Sequence, residues 1–233
     1  MFPHLKILVL CILPMATVYG DSYDCQIHQD PCGCQDHPQE IVCEAQFVIK
    51  GKIVSKHFTQ ERDPLFGRIH TAHYEVNITT VFKGIGIVTS DNLIIQRRME
   101  KCDRTGLDVG DNYIITGHTD FITGELRSHG CQWNAKWTKL TSFQQQGLIN
   151  GAYLENCNSC EISTDLLRMA SHGRKVSAAG KTCTFNYRSC EGQAHYKKRS
   201  CVRCGNQQDC SWVRNDRYEN CYNTNTLPEI LIY

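Results

Sequence analysis

Three cysteines within twelve residues constrain the possible folds of this chain more than any other feature of its sequence. They are Cys32, Cys34 and Cys43. A disulfide requires Cα atoms about 4.4–6.8 Å apart and a restricted torsion, so two cysteines separated by a single residue do not pair easily with each other. Cys32 and Cys34 therefore need partners that are distant in the sequence. The sequence predicts a rigid, exposed ridge fastened across the domain that folds behind it.

The first 20 residues and the number of cysteines indicate an exported protein. Residues 1–20 have the pattern of a secretory signal, with Lys6 near the start and an apolar run from Ile7 to Leu13. This run is shorter than the roughly 20 residues of a membrane span, and no other segment approaches that length. Cys11 lies inside the signal, which leaves 14 of the 15 cysteines, an even number. We therefore expect a secreted protein with no membrane span and with many disulfides.

Composition and motifs argue against several function classes. A net charge of +1 argues against nucleic acid as the main partner, because binding to phosphates depends on accumulated Lys and Arg. The sequence has no His-Glu-x-x-His motif and no evident catalytic constellation, so we expect neither an enzyme nor a cofactor of its own. Cys157-x-x-Cys160 and Cys201-x-x-Cys204 resemble a zinc site, but 40 residues separate the two pairs. Export makes disulfides the better interpretation of these cysteines.

The segment after Cys43 is typical of a mainly β domain. Short runs of alternating or β-branched residues are bounded by Gly and Asp turns, which predicts about five strands closing into a small OB-fold-like barrel. A helix is predicted after Trp137, where Thr141 and Gln144 have the spacing of a capping box. The predicted strands lie at 45–54, 72–82, 92–97 and 112–117.

The composition changes near Cys157, where cysteines become frequent and long apolar runs become rare. This tail cannot bury much core, so disulfides must replace it. We predict a signal peptide at 1–20, an N-terminal extension at 21–31, a barrel domain with a terminal helix at 32–157, and a disulfide-rich module at 158–233. Asn77, in Asn77-Ile78-Thr79, is the predicted glycosylation site.

Several of these residues together resemble one known family, the tissue inhibitors of metalloproteinases, whose first domain is a netrin-like module of OB-fold type. The order and spacing of the matching pieces carry the resemblance, which covers most of the chain after the signal. Near the end, Cys201 with Cys210-Ser211-Trp212 resembles the closing cysteine pair of that family. The other pieces are Cys32-x-Cys34, His37-Pro38-Gln39, Cys43, Phe82-Lys83-Gly84, Leu107 to Gly117, and Cys131 with Trp137 and the helix to Cys157.

The resemblance implies both a disulfide pairing and a mechanism. In this family the mature chain begins at the first cysteine of the C-x-C pair, whose α-amine and carbonyl oxygen chelate the catalytic zinc of a secreted metalloproteinase. Cys32 is then the zinc ligand, Gly33 the residue at the specificity pocket, and Cys34 the anchor of the ridge. The implied disulfides are Cys32–Cys102, Cys34–Cys131, Cys43–Cys157 and Cys160–Cys210.

Three features depart from the family pattern. Signal cleavage after Gly20 leaves residues 21–31 ahead of Cys32, whose nitrogen is then an amide with its lone pair in resonance. Gly33 brings no side chain to a pocket that rewards buried apolar surface. The segment from Cys34 to His37 is one residue shorter than the pattern and lacks its proline. Inhibition thus requires a second cleavage before Cys32 or a different mode of binding.

The alternative function is that of a non-inhibitory netrin-like protein of the extracellular matrix. A bond from Cys25 to a tail cysteine such as Cys204 or Cys221 would make the N-terminal extension a retained structural piece. The basic run Lys197, Lys198 and Arg199 predicts either a contact with sulfated matrix polysaccharide or a solvated loop. His70 and His73 are three residues apart in a predicted strand, so they point to opposite faces, and surface histidines are expected rather than a metal pair.

Overall fold

Six strands form the main sheet of the structure, which is a computed structural model. It describes Cys34 and residues 36–63, 67–89, 92–97, 106–164, 180–186 and 189–223. The predicted signal and N-terminal extension, together with Cys32, Gly33 and Cys102, lie outside the described residues. The strands are β1 (Phe47–Asp63), β2 (Gly67–Lys83), β3 (Asn92–Arg97), β4 (Asn112–Thr119), β5 (Leu126–Ser128) and β6 (Ala135–Lys136).

Five of these strands close into a ring in the order β1-β2-β3-β5-β4, because β4 also pairs with β1. The β3–β5 pairing is parallel, the other pairings are antiparallel, and β6 is added beside β4. The prediction of a mainly β fold built on five strands is therefore confirmed. β1 and β2 are each 17 residues long, much longer than predicted, because their pairing continues through polar residues that break the alternation.

The interior of the ring holds the first hydrophobic core. Alternate residues of each strand point inward, as the two-residue period of a strand requires. Phe47, Ile49, Ile53 and Ile115 in this core are completely buried. The other buried members are Ala72, Tyr74, Val76, Leu93, Leu107, Tyr113 and Leu126.

A short helix, α1 (Pro38–Glu44), precedes the ring. The sequence indicated only a ridge here, since seven residues are too few to show a helical period. His37 caps the helix and Pro38 occupies its first turn, where a missing N–H costs nothing. Lys83 donates hydrogen bonds of 3.0 and 2.8 Å to two carbonyls of the last turn. Side chains at both ends therefore satisfy backbone groups that the helix itself cannot.

The second core lies between the ring and the predicted helix, α2 (Ser142–Ile149). The Thr141 N–H donates to the Gln144 side chain over 3.0 Å, and the Gln144 N–H donates to the Thr141 hydroxyl over 3.2 Å. The predicted capping box is thus confirmed. The buried residues of this core are Val42, Ala45, Val48, Ile114, Trp133, Leu140, Leu148 and Tyr153.

The tail forms two small two-stranded sheets with short helices around them. β7 (Glu161–Thr164) and β8 (Thr182–Phe185) are parallel, whereas β9 (Arg199–Val202) and β10 (Ser211–Arg214) are antiparallel. Its two small hydrophobic clusters contain several half-cystines, as expected where cross-links replace a core. The helices are α3 (Cys190–Lys198) and α4 (Tyr218–Asn223), with a 3₁₀ turn at Asn215–Arg217.

Five disulfides cross-link the described residues. The pairs Cys34–Cys131, Cys43–Cys157 and Cys160–Cys210 coincide with pairs that the family resemblance implies. The other two are Cys183–Cys201 and Cys204–Cys221, and Cys190 is disulfide-bonded as well.

The disulfide pairs of the tail bear on three predictions about its cysteines. Cys204 and Cys221 pair with each other, so the hypothesis that one of them bonds to Cys25 is wrong. Cys201 and Cys210 have different partners and do not form a pair. All four cysteines of the possible zinc site are half-cystines, which agrees with the disulfide interpretation. Within the described residues, no helix is long and apolar enough to cross a membrane.

The packing of α2 against the tail predicts a strong effect of one added methyl group. A Cβ at Gly147 would lie 2.8 Å from the buried ring of Tyr153 and 2.5 Å from the amide nitrogen of Asn215. Alanine favours helix more than glycine does, but the overpacking outweighs that gain. We therefore expect Gly147→Ala to lower the free energy of unfolding, measured by urea denaturation, by about 1–2 kcal/mol. Gly86→Ala is the matched control, because nothing lies within 4 Å of its Cβ. Equal stability of the two variants would contradict this account.

Candidate functional site

The edge of the ring that carries Cys34 is the candidate functional site. Cys34 is the first described residue after the predicted zinc ligand, and it is bonded to Cys131 with a Cα–Cα distance of 5.1 Å. Cys131 lies in the turn that follows β5. The rigidity of the ridge therefore depends on how firmly this turn is held.

Thr116 of β4 fixes that turn through three hydrogen bonds. Its hydroxyl donates to the Gln132 side chain and accepts from the Trp133 N–H, both over 2.8 Å. Its carbonyl accepts from the Ser128 hydroxyl over 2.7 Å. Thr116 is completely buried, so these bonds lie where water does not compete for them. The turn that anchors Cys34 is thus held directly by a strand of the ring.

On the other side of Cys34, His37 enters a pocket of aromatic rings. Its side chain is completely buried. Four rings surround the imidazole with centroids 5.0–6.3 Å away, mostly edge-on, an arrangement that favours aromatic packing. They belong to Tyr153, Phe185, Tyr196 and Trp212, of which only Tyr153 precedes the disulfide-rich tail.

The hydrogen bonds of His37 fix its neutral tautomer. Nδ1 accepts from the Gln39 N–H over 3.1 Å, so the proton resides on Nε2, which donates to the His195 carbonyl over 3.1 Å. Burial lowers the pKa of His37 from 6.5 to about 3, because a charged ring would lose its hydration. His37 is therefore a neutral, packed bridge between the ridge and the tail.

Gln39 makes a second bridge of the same kind. Its side-chain amide donates to the Cys201 carbonyl over 2.8 Å and its oxygen accepts from the Cys201 N–H over 2.7 Å. The amide thereby pairs with β9 as a neighbouring strand would. With the Cys43–Cys157 disulfide, α1 is held by the ring at one end and by the tail along its length.

His195 is the partner of His37 in the tail, and it is also held neutral. Its ring stacks on Trp212 with centroids 4.5 Å apart. Burial and the nearby Arg199 guanidinium, 3.3 Å from Nε2, lower the pKa of His195 to about 4, whereas the Glu191 carboxylate at 3.8 Å acts in the opposite direction. Two imidazoles thus meet in one interface without charge.

The remaining predicted site residues lie apart from this edge. Asn77 is exposed on β2, as a glycosylated asparagine must be. Lys197 is exposed at the end of α3, the Lys198 ammonium lies 5.8 Å from the Phe143 ring, and Arg199 contacts His195. Two of the three basic side chains therefore also make contacts within the protein.

Sequence reasoning quoted His37 and Gln39 only as part of a motif and missed what they do. Their partners, His195 and Cys201, lie about 160 residues away, and no local pattern reports such a contact. A further cluster, the sulfurs of Cys160, Cys201 and Cys210 within 4.8 Å of one another, has the proximity of a metal site. All three are in disulfides, so they offer no thiolate to an ion.

The buried His37 predicts that acid weakens the contact between ridge and tail. Its folded pKa of about 3 lies below the ordinary 6.5, so the unfolded chain takes up the proton first. The stabilisation is complete above pH 6.5 and is lost as the pH falls towards 3. Between pH 7.5 and pH 5 we expect His37 alone to remove about 2 kcal/mol from the free energy of unfolding.

The check is urea unfolding of the oxidised protein at pH 7.5 and pH 5. In His37→Gln, whose amide can still donate to the His195 carbonyl, the difference between the two pH values should shrink by about 2 kcal/mol. His118→Gln is the matched control, since His118 is exposed, and it should retain the wild-type difference. If His37→Gln showed the same difference in free energy of unfolding between pH 7.5 and pH 5 as the wild type, protonation of His37 would not be the cause of the acid sensitivity.

Comparison of the sequence with known proteins identifies related inhibitors. A family model described as tissue inhibitor of metalloproteinase matches residues 30–212. Metalloproteinase inhibitor 3 of Gallus gallus is 30% identical over 135 residues, which are 57% of this chain and 59% of that protein. Metalloproteinase inhibitor 2 of Homo sapiens is 28% identical over 160 residues, 67% of each chain. The alignment thus spans about three-fifths of the chicken protein. Because the family model matches most of its length, this chain belongs to the tissue inhibitor of metalloproteinase family.

Proposed function

We propose that this protein is a secreted inhibitor of zinc metalloendopeptidases and not an enzyme. The observation that carries the proposal is the edge at Cys34, which is bonded to Cys131 and is followed three residues later by the buried His37, in a chain of this family. A rigid edge has little conformational entropy to lose when it enters a cleft. Export is supported by the disulfides, which persist in oxidising compartments.

The proposed chemistry is chelation of the protease's zinc by the α-amine and carbonyl oxygen of Cys32. A catalytic zinc keeps one coordination position open, and an α-amine with a pKa near 7.7–8.0 is partly neutral at physiological pH. An amide nitrogen at the same place is a poor ligand, because its lone pair is delocalised. The protein needs no cofactor of its own in this mechanism. The active form is therefore one in which Cys32 is the first residue.

Three forms of the protein test this mechanism against one zinc metalloendopeptidase and a fluorogenic peptide. One begins at Asp21, one begins at Cys32, and one has a single alanine added before Cys32. The last two contain the same cysteines and differ only at the amine. We expect the form beginning at Cys32 to have an inhibition constant at least about a hundredfold lower than either other form, equivalent to ~2.7 kcal/mol.

The outcomes separate the mechanism from the function. Equal potency of all three forms contradicts zinc chelation but leaves inhibition intact. No inhibition by any form contradicts the inhibitor proposal and favours the alternative, a non-inhibitory netrin-like protein of the extracellular matrix. N-terminal sequencing of the natural secreted protein then decides which form the cell makes.

Binding of sulfated matrix polysaccharide by Lys197, Lys198 and Arg199 is a separate part of the proposal. Replacing all three with alanine should lower the salt concentration that elutes the protein from a heparin column, since each cation releases counterions from the polyanion. The matched control replaces the exposed Lys52, Lys56 and Lys139, which removes the same charge elsewhere. Equal elution of both variants would remove this binding site and leave a solvated basic loop.

A further inference from the structure

The long β1–β2 hairpin brings together two histidines that the sequence separates. His57 of β1 and His73 of β2 are directly opposite each other in the strand register. Their rings are stacked, with centroids 4.7 Å apart and planes 5° from parallel. A spacing of 16 residues corresponds to no helix or strand period, so only the register of the two strands makes the histidines neighbours.

Both imidazoles lie on the outward face of the hairpin. The residues on either side of His73, Ala72 and Tyr74, are 0% and 2% exposed in the core of the ring. Because successive residues of a strand alternate between faces, His73 points away from that core, and its cross-strand partner His57 shares its face. His57 is exposed and His73 is half-buried, so solvent and ions reach the pair.

The surroundings of the pair are polar and include a nearby anion. The Thr59 hydroxyl lies 2.8 Å from Nε2 of His73. The next pair along the same face is Ser55 with Glu75, in which the serine hydroxyl donates to the carboxylate over 3.0 Å. A carboxylate one strand pair away attracts a cation to this face.

We propose that His57 and His73 form a two-histidine binding site for Cu²⁺ or Zn²⁺ on the β1–β2 hairpin. Neutral imidazole is the preferred side-chain ligand of these ions, and Cu²⁺ binds the tighter of the two. Metal–nitrogen bonds of about 2.0–2.1 Å need the two donor nitrogens only about 3 Å apart. The two stacked rings reach this nitrogen–nitrogen spacing by rotating about χ2, a torsion with broad minima in histidine. Water fills the remaining coordination positions.

The hairpin preorganises this site for metal binding. The backbone ladder continues on both sides of the pair, from Lys56–Tyr74 to Asp63–Gly67, and fixes the spacing of the two side chains. Little conformational entropy is then lost on binding. The hydrogen bond between the Thr59 hydroxyl and Nε2 of His73 is exchanged for the bond to the ion. A bound ion cross-links the two strands beyond Lys52, where β1 no longer pairs with β4.

The test uses the full chain after removal of metals with a chelator. Zn²⁺ and Cu²⁺ are titrated calorimetrically, and pulsed electron paramagnetic resonance of the Cu²⁺ form counts the coordinated imidazoles. We expect one Cu²⁺ bound by two imidazoles. His57→Gln and His73→Gln should each lower the affinity at least about tenfold, and the double variant should lose the two-imidazole spectrum. Thr59→Ala should bind at least as tightly as the wild type, because it removes the hydroxyl that the ion displaces.

The matched control removes two other neighbouring histidines, His118 and His129, and should leave the two-imidazole spectrum unchanged. Each variant is checked for native structure by circular dichroism. Absence of Cu²⁺ binding up to about 1 mM in the wild type would overturn the proposal, since so weak a site has no preformed geometry. Retention of the spectrum in the His57/His73 double variant, or its loss in the control, would also overturn it.

Discussion

The contact of His37 and Gln39 with the disulfide-rich tail is the interaction on which the rest of the structure depends. An uncharged imidazole fills an aromatic pocket, and an amide side chain pairs with the backbone of Cys201. Both side chains are buried, so each lost hydrogen bond would leave a buried polar partner unsatisfied. The tail therefore takes part in holding α1, and α1 in turn holds the edge at Cys34.

This arrangement explains how the fold presents a rigid edge at Cys34. One support is the Cys34–Cys131 disulfide, whose turn is fixed to the ring by Thr116. The other support is α1, with its own disulfide and its contacts to the tail. The segment is therefore held at two points, at Cys34 by the disulfide and at α1 by its own contacts, which stiffens it more than one support could. In the proposed inhibitor, binding then depends on the chemistry of the first amine, because the geometry exists beforehand.

Local patterns in the sequence predicted the parts of the fold that local interactions determine. The capping box of Thr141 and Gln144 and the strand at 92–97 are of this kind. The helix α1 was missed because its seven residues are stabilised from outside, by Lys83 and by the tail. The bridge from His37 and the pairing of His57 with His73 were invisible for the same reason: each requires the register or docking of segments far apart in the chain. For the tail, cysteine spacing alone allowed too many pairings to choose among them.

The joint between the two parts of the chain is only four residues long, from Cys157 to Cys160, and each end of it is cross-linked by a disulfide. Cys157 is bonded to Cys43 of α1, and Cys160 is bonded to Cys210, the residue before β10. Inserting or deleting a residue here would shift His195 and Cys201 away from the side chains that they meet. We therefore expect length variation among relatives to fall in exposed loops and to avoid this joint.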